Sequence, residues 1–216
     1  MELKGRIINV LGDSITEGVG ASCTENRFTD VLRREYELAK VNNYGISGSR
    51  IARQHAMTAD RHERWFASRI EEMDPAADAV IVFGGTNDYG HGDAPLGTPD
   101  DRTVDTFWGA CHVLMQGLME KYMGKPILIC TPLHRDEEND PHDVRKAEVH
   151  PLHVYRSILM EAAQYYAMPV LDLYAVSGIQ PQVAANREAL CPDGLHPNDA
   201  GHAIIARRMG EMLKLL

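Results

Sequence analysis

Short apolar runs alternate along the chain with longer stretches in which apolar residues recur every three or four positions. The runs are Arg6-Ile7-Ile8-Asn9-Val10-Leu11, stopped by Gly12, and the weaker Val41-Asn42-Asn43-Tyr44, stopped by Gly45. Ala79-Val80-Ile81-Val82-Phe83 is stopped by Gly84-Gly85, Pro126-Ile127-Leu128-Ile129-Cys130 ends at Thr131-Pro132, and Met168-Pro169-Val170-Leu171-Asp172-Leu173 comes last. Continuous runs of this length, rich in β-branched residues, predict strands buried on both faces, and hence a parallel sheet.

Helical spacing fills the gaps. Phe107, Cys111, Leu114, Met115, Leu118 and Tyr122 share one helical face, as do Leu152, Tyr155, Leu159, Ala162, Ala163 and Tyr166. Ile204, Ile205, Met209, Met212, Leu213 and Leu216 form a third set, with Asn198 or Asp199 as its N-cap. Residues 27–40 and 62–73 carry weaker helical patterns. Strand and helix alternating in this way predict a doubly wound α/β/α sandwich. In such sheets ligands bind beyond the carboxyl ends of the strands. The segments to inspect are therefore Asp13-Ser14, Gly45-Ile46-Ser47, Gly85-Thr86-Asn87-Asp88 and the loop after Pro132.

Bulk properties narrow the field. A chain of 216 residues, 44% apolar and without repeats or a linker, suits one domain over 1–216 with one large core. Its net charge of -9 disfavours nucleic acid and anionic membrane surfaces as partners. The run from Ile7 to Leu11 is too short for a secretory signal or a membrane span, so a soluble cytoplasmic protein is expected. Cys23, Cys111, Cys130 and Cys191 are scattered, with neither metal-ligand nor scaffold spacing, and read as reduced thiols, mostly buried.

Four polar clusters fall on the predicted site edge. In Gly12-Asp13-Ser14-Ile15-Thr16, a serine at a strand-to-helix turn would lie near free backbone N–H groups that favour an oxyanion, although the same residues suit a helix cap equally well. In Asp193-Gly194-Leu195-His196-Pro197, a carboxylate three residues before an imidazole would orient it and leave its other nitrogen for Ser14; a capped surface turn is the plainer alternative. Gly84-Gly85-Thr86-Asn87-Asp88 would aim the Asn87 amide at an oxyanion, or simply turn. Asn43-Tyr44-Gly45-Ile46-Ser47-Gly48 would add the Gly45 N–H, or is a strand exit that needs glycine.

Taken together, these blocks resemble the GDSL, or SGNH, hydrolases, a family of small esterases and lipases, in the family's order and across residues 6–216. The resemblance implies a flavodoxin-like five-stranded parallel sheet, which is expected here in the order 2-1-3-4-5. It implies Ser14 as nucleophile, His196 as base and Asp193 as the group orienting it. It further implies oxyanion donors from the Ser14 N–H, the Gly45 N–H and the Asn87 side chain, with no metal or organic cofactor. The first block has Ile15 where the name-giving form has Leu, an apolar swap of no consequence. The expected reaction is hydrolysis of a small-molecule ester through an acyl-enzyme. Acyl transfer to a sugar or other alcohol is the alternative, and a non-catalytic carbohydrate-binding protein a more distant one.

Other constellations are weaker. His134, His142, His150 and His153 stand among Asp136, Glu137, Glu138, Asp140 and Asp143, but their spacings match no ligand motif, and a solvated loop is expected. That loop, 133–150, and a second at 89–105 with hinge-like glycines, would shape the acyl and alcohol pockets. Both are polar, which favours small or acetylated esters over long lipid chains. Cys191, beside a carboxylate, reads as packing rather than as a nucleophile. No Gly-x-Ser-x-Gly elbow is present, which argues against an α/β-hydrolase.

Overall fold

The structure, a computed structural model, describes residues 1–56, 60–139 and 150–216. Five strands, β1 (Ile7–Gly12), β2 (Lys40–Gly45), β3 (Ala79–Phe83), β4 (Ile127–Cys130) and β5 (Val170–Leu171), form one sheet. All pairings are parallel and the order is β2-β1-β3-β4-β5. This is the α/β sandwich and strand order expected from the sequence.

The alternation along each strand explains the three layers. Ile8, Val10, Ile81, Phe83, Leu128 and Cys130 face one apolar cluster, while Leu11, Val80, Val82, Ile127 and Ile129 face the other. Both faces need cover, so β3, β4 and β5 contain no polar residue, whereas the edge strand β2 carries Lys40, Asn42 and Asn43. The helices supplying it are α1 (Ser14–Glu17), α2 (Phe28–Glu35), α3 (Thr86–Gly90), α4 (Phe107–Lys121), α5 (Leu152–Tyr165), α6 (Leu173–Val176), α7 (Ala184–Leu190) and α8 (Asp199–Leu215). Helices α2 and α8 lie on the first face and α4 and α5 on the second. Asn198 caps α8, its Oδ1 accepting from the N–H groups of Ala200 and Gly201.

Two expectations change. Residues 62–73 hold 3-10 turns, Arg61–Glu63 and Phe66–Glu72, rather than one α-helix. The run from Met168 to Leu173 contributes only Val170 and Leu171 to the sheet, because Asp172 leaves it to pair with Arg156 and Thr131. Among the described residues, no helix is long and apolar enough to cross a membrane.

Candidate active site

Gly12 is in register with Gly45 on one side and Phe83 on the other, so β1, β2 and β3 end level with one another. The chain leaves β1 through Asp13, whose Oδ1 accepts the Ile15 N–H and caps α1. Ser14 is the first residue of that helix and is buried. Gly12 must be glycine, since a Cβ there would lie 2.0 Å from Thr16 Oγ1 and 2.8 Å from the Phe83 carbonyl oxygen.

The segment 191–197 comes from the far end of the sequence and is pinned on both sides. The Asn198 N–H donates to the Leu190 carbonyl (2.9 Å) and its Nδ2 to that of Ala189 (2.9 Å). His202, fully buried in α8, accepts the Phe28 N–H at Nδ1 (3.2 Å) and donates from Nε2 to the Val19 carbonyl (3.2 Å). These bonds dock α8 against the loop after α1. His196 thereby reaches Ser14, with Nε2 3.0 Å from Oγ.

Asp193 Oδ2 lies 2.7 Å from His196 Nδ1, and its Oδ1 accepts the backbone N–H groups of Leu195 (2.8 Å) and His196 (2.6 Å). Burial raises the Asp193 pKa, but those N–H groups and the imidazole outweigh it and hold the carboxyl below the ordinary aspartate value. The ionised carboxylate can only accept, so His196 carries its proton on Nδ1 and turns a bare Nε2 to Ser14.

Asn87, in α3, is buried; its Nδ2 donates to the Ser49 carbonyl (3.1 Å) and its Oδ1 faces His91 Nε2 (3.0 Å). The Ser14 N–H has no hydrogen-bond partner among the described residues. Gly45 is a correction. Its N–H is already taken by Asn43 Oδ1 at 2.8 Å, and the residue packs against α1, where a Cβ would lie 2.2 Å from the Glu17 nitrogen. Its smallness serves close backbone packing, and its N–H is spent. Gly48, three residues on in the same loop, has a positive φ of 77° and an N–H without a partner among the described residues.

Arg69 escaped the sequence reading. It is buried across the ends of β1 and β2, donating to the carbonyls of Gly12 (3.2 Å) and Tyr44 (2.7 Å) and to Ser49 Oγ (3.1 Å). Burial pushes its pKa down to about 10, which leaves it charged at neutral pH. An arginine in a weakly patterned stretch gives no signal of this role. Glu17, at the end of α1, accepts from the Ser47 N–H (2.7 Å) and hydroxyl and so ties the 46–49 loop to the helix that begins with Ser14.

Asp13 is fully buried, and burial pushes its pKa up to about 7; Asp88 adds to this, while the Ile15 N–H and Arg69 oppose it. A carboxyl raised in the folded state stabilises most when protonated, and its ionisation weakens the fold as pH rises from about 4 to 7. Asn at this position keeps the oxygen that caps α1 and cannot ionise. The stability advantage of Asp13→Asn over the wild type should therefore grow from pH 4 to 7, to roughly 4 kcal/mol, and then level off. Thermal melts across that range check it, and a constant difference would contradict it.

The other candidates resolve plainly. Cys111, Cys130 and Cys191 are buried and Cys23 is exposed, all with free thiols. Burial, helped by Asp193, pushes the Cys191 pKa up to about 12, which rules it out as a thiolate nucleophile at neutral pH. His134 Nδ1 is held by Glu138 (2.6 Å), which also accepts from the Tyr174 hydroxyl (2.8 Å). Asp140, His142 and Asp143 lie outside the described residues, and among the described ones no three His, Cys, Asp or Glu side chains could hold a metal ion. A hollow of about 260 Å³ beside His196 is walled by Arg135, Asp136, Glu137 and Asp193. Larger hollows of about 600 and 660 Å³ lie on the flank of α8 and under the amino ends of β4 and β5, away from Ser14.

The sequence matches the model of the GDSL-like lipase/acylhydrolase family over residues 10–204. The chain belongs to this family. A crystal structure of a Lactobacillus plantarum protein shares 30% identity with this GDSL-like chain, with a TM-score of 0.84 over 99% of this chain and 98% of that one. Two others share its fold. An acetyl xylan esterase has 20% identity and a TM-score of 0.64, covering 96% of this chain and 99% of its own. A member of the lipolytic G-D-S-L family from Veillonella parvula has 17% identity and a TM-score of 0.63, covering 97% and 99%. No curated protein matches. Membership makes this GDSL-like chain a hydrolase of the esterase type.

Proposed function

We propose that the protein is a serine esterase that cleaves small or acetylated esters through an acyl-enzyme. The observation that carries this is the chain of contacts Ser14 Oγ, His196 Nε2, His196 Nδ1, Asp193 Oδ2, at 3.0 and 2.7 Å. A serine hydroxyl becomes a useful nucleophile when a neighbouring base takes its proton. Ser14 Oγ attacks the ester carbonyl and its proton passes to His196 Nε2, while Asp193 faces the imidazolium so formed. The negative charge on the former carbonyl oxygen is met by the Ser14 N–H, the Asn87 amide and, in place of Gly45, the Gly48 N–H. As the tetrahedral intermediate collapses, His196 gives its proton to the departing alkoxide. Water then attacks the acyl-serine with His196 again as base, releasing the acid and restoring the hydroxyl.

The charged walls of the hollow beside His196 support a small polar acyl or alcohol group over a hydrocarbon tail. The expected outcome is a steep fall in kcat/KM from p-nitrophenyl acetate to butyrate to octanoate, with acetylated sugars accepted. Intact-mass measurement after a fluorophosphonate probe should show one adduct, mapped to Ser14. A preference for octanoate would overturn the substrate class, and an adduct elsewhere would overturn the nucleophile. Added alcohol should leave free acid as the main product, because an ester product would mark an acyltransferase.

A further inference from the structure

Behind Asn87 lies a row of side chains that the reaction does not touch. His91, one turn along from Asn87, places Nε2 3.0 Å from its Oδ1. Arg50 places Nη2 2.9 Å from His91 Nδ1, and its Nη1 is 3.2 Å from Glu63 Oε2. Arg50 and Glu63 are each only 5% exposed. Arg50 follows the Gly48-Ser49 pair, so the row joins both segments that supply the proposed oxyanion donors.

The chemistry of the row permits one arrangement. A guanidinium has donors and no acceptor, so His91 Nδ1 must accept from Arg50. The imidazole proton then sits on Nε2 and is donated to Asn87 Oδ1. Across the amide, the Ser49 carbonyl can only accept, so it takes one of the two Nδ2 protons. Turning the amide over would set its oxygen against the Ser49 carbonyl. The second Nδ2 proton is thus left for an oxyanion, with its direction set before substrate arrives. Fixed donors of this kind stabilise developing charge without reorganising during the reaction.

We infer that Glu63, Arg50 and His91 are positioning residues that set the orientation of the Asn87 amide and hold it ready for the oxyanion. The inference rests on the proposed function, in which Asn87 is such a donor. Glu63 fixes the Arg50 guanidinium, Arg50 fixes the His91 tautomer, and His91 fixes the amide.

The test compares wild type with His91→Leu, His91→Gln, Asn87→Ala and the Asn87→Ala/His91→Leu double variant. Two rates are read, p-nitrophenyl acetate turnover and labelling of Ser14 by a fluorophosphonate probe, whose reaction passes through a charged phosphoryl oxygen and needs no natural substrate. His91→Leu should lower kcat and the labelling rate by ~10- to 100-fold, with KM changed by no more than about two-fold. His91→Gln, whose amide N–H reaches as far as Nε2, should recover most of that loss. In the Asn87→Ala background, His91→Leu should cost no more than about three-fold, because the group it positions is gone. An equal loss in both backgrounds would overturn the inference and leave the role of Asn87 standing. No loss on Asn87→Ala alone would instead overturn the oxyanion reading, and the inference with it. Nitrogen-15 NMR of the wild type gives an answer that no folding defect can blur, since the His91 proton must be on Nε2, and a proton on Nδ1 would overturn the relay.

Discussion

Ser14→Ala should reduce kcat/KM for p-nitrophenyl acetate by roughly 10⁴- to 10⁶-fold while leaving KM and the fold nearly unchanged. The substitution removes one oxygen, and with it the hydrogen bond to His196 Nε2. His196 is half-buried, with a side chain 18% exposed, so water can replace the lost partner and the stability cost should stay near 1 kcal/mol. What cannot be replaced is the covalent step. Groups that act as one unit fail together, so Ser14→Ala/His196→Ala should be no slower than Ser14→Ala alone. The residual rate should belong to the proposed oxyanion donors, and a further drop on Asn87→Ala in that background would show them working without the Ser14 hydroxyl. A Ser14→Ala enzyme within ten-fold of wild type would end the acyl-enzyme mechanism.

The second large effect is expected at Gly45, where the loss should be in the fold. A Cβ built there would lie 2.2 Å from the Glu17 nitrogen and 2.6 Å from the Thr16 carbonyl carbon. Both are backbone atoms of the helix that begins with Ser14, so no side chain can swing aside. The strain should reach about 3 kcal/mol or more, the upper range for forced overpacking, which for a chain of this size lowers the melting temperature by roughly 6–12 °C. Gly45→Ala keeps its backbone N–H, so a variant with normal stability and lost activity would point back to an oxyanion role. A large drop in melting temperature is the outcome that fits the packing role. Gly48→Ala meets the cost of a left-handed backbone at φ 77° instead, about 1 kcal/mol.

The contrast between these two glycines shows where the sequence was legible. The strands could be read because runs such as Ala79–Phe83 are uninterrupted and end in glycine, a signal carried entirely by neighbours in the chain, while their order came with the family resemblance. That Ser14, His196 and Asp193 meet could be anticipated because nucleophile, base and carboxylate chemistry restricts which residue types can serve. Gly45 looked like a donor because sequence shows which residues have an N–H but not where it points, and the Asn43 side chain two residues earlier occupies it. Arg69, Arg50 and His91 had no period to betray them; each acts across loops that only the sheet brings together. The helices α1, α3 and α6 are one turn or little more, too short for a repeat to show.

The Ser14–His196 contact joins positions 182 residues apart. On a ribosome adding about 5–20 residues per second, roughly 10–35 s pass between synthesis of the two. Throughout that time Ser14 sits in a growing chain without the base proposed for it, an ordinary unreactive alcohol. The pair can close only after β1 through β5 exist and α8 has docked on the loop after α1. A chain not yet extended to His196 therefore lacks the base proposed for Ser14, and the proposed activation of the hydroxyl waits until these two distant segments meet.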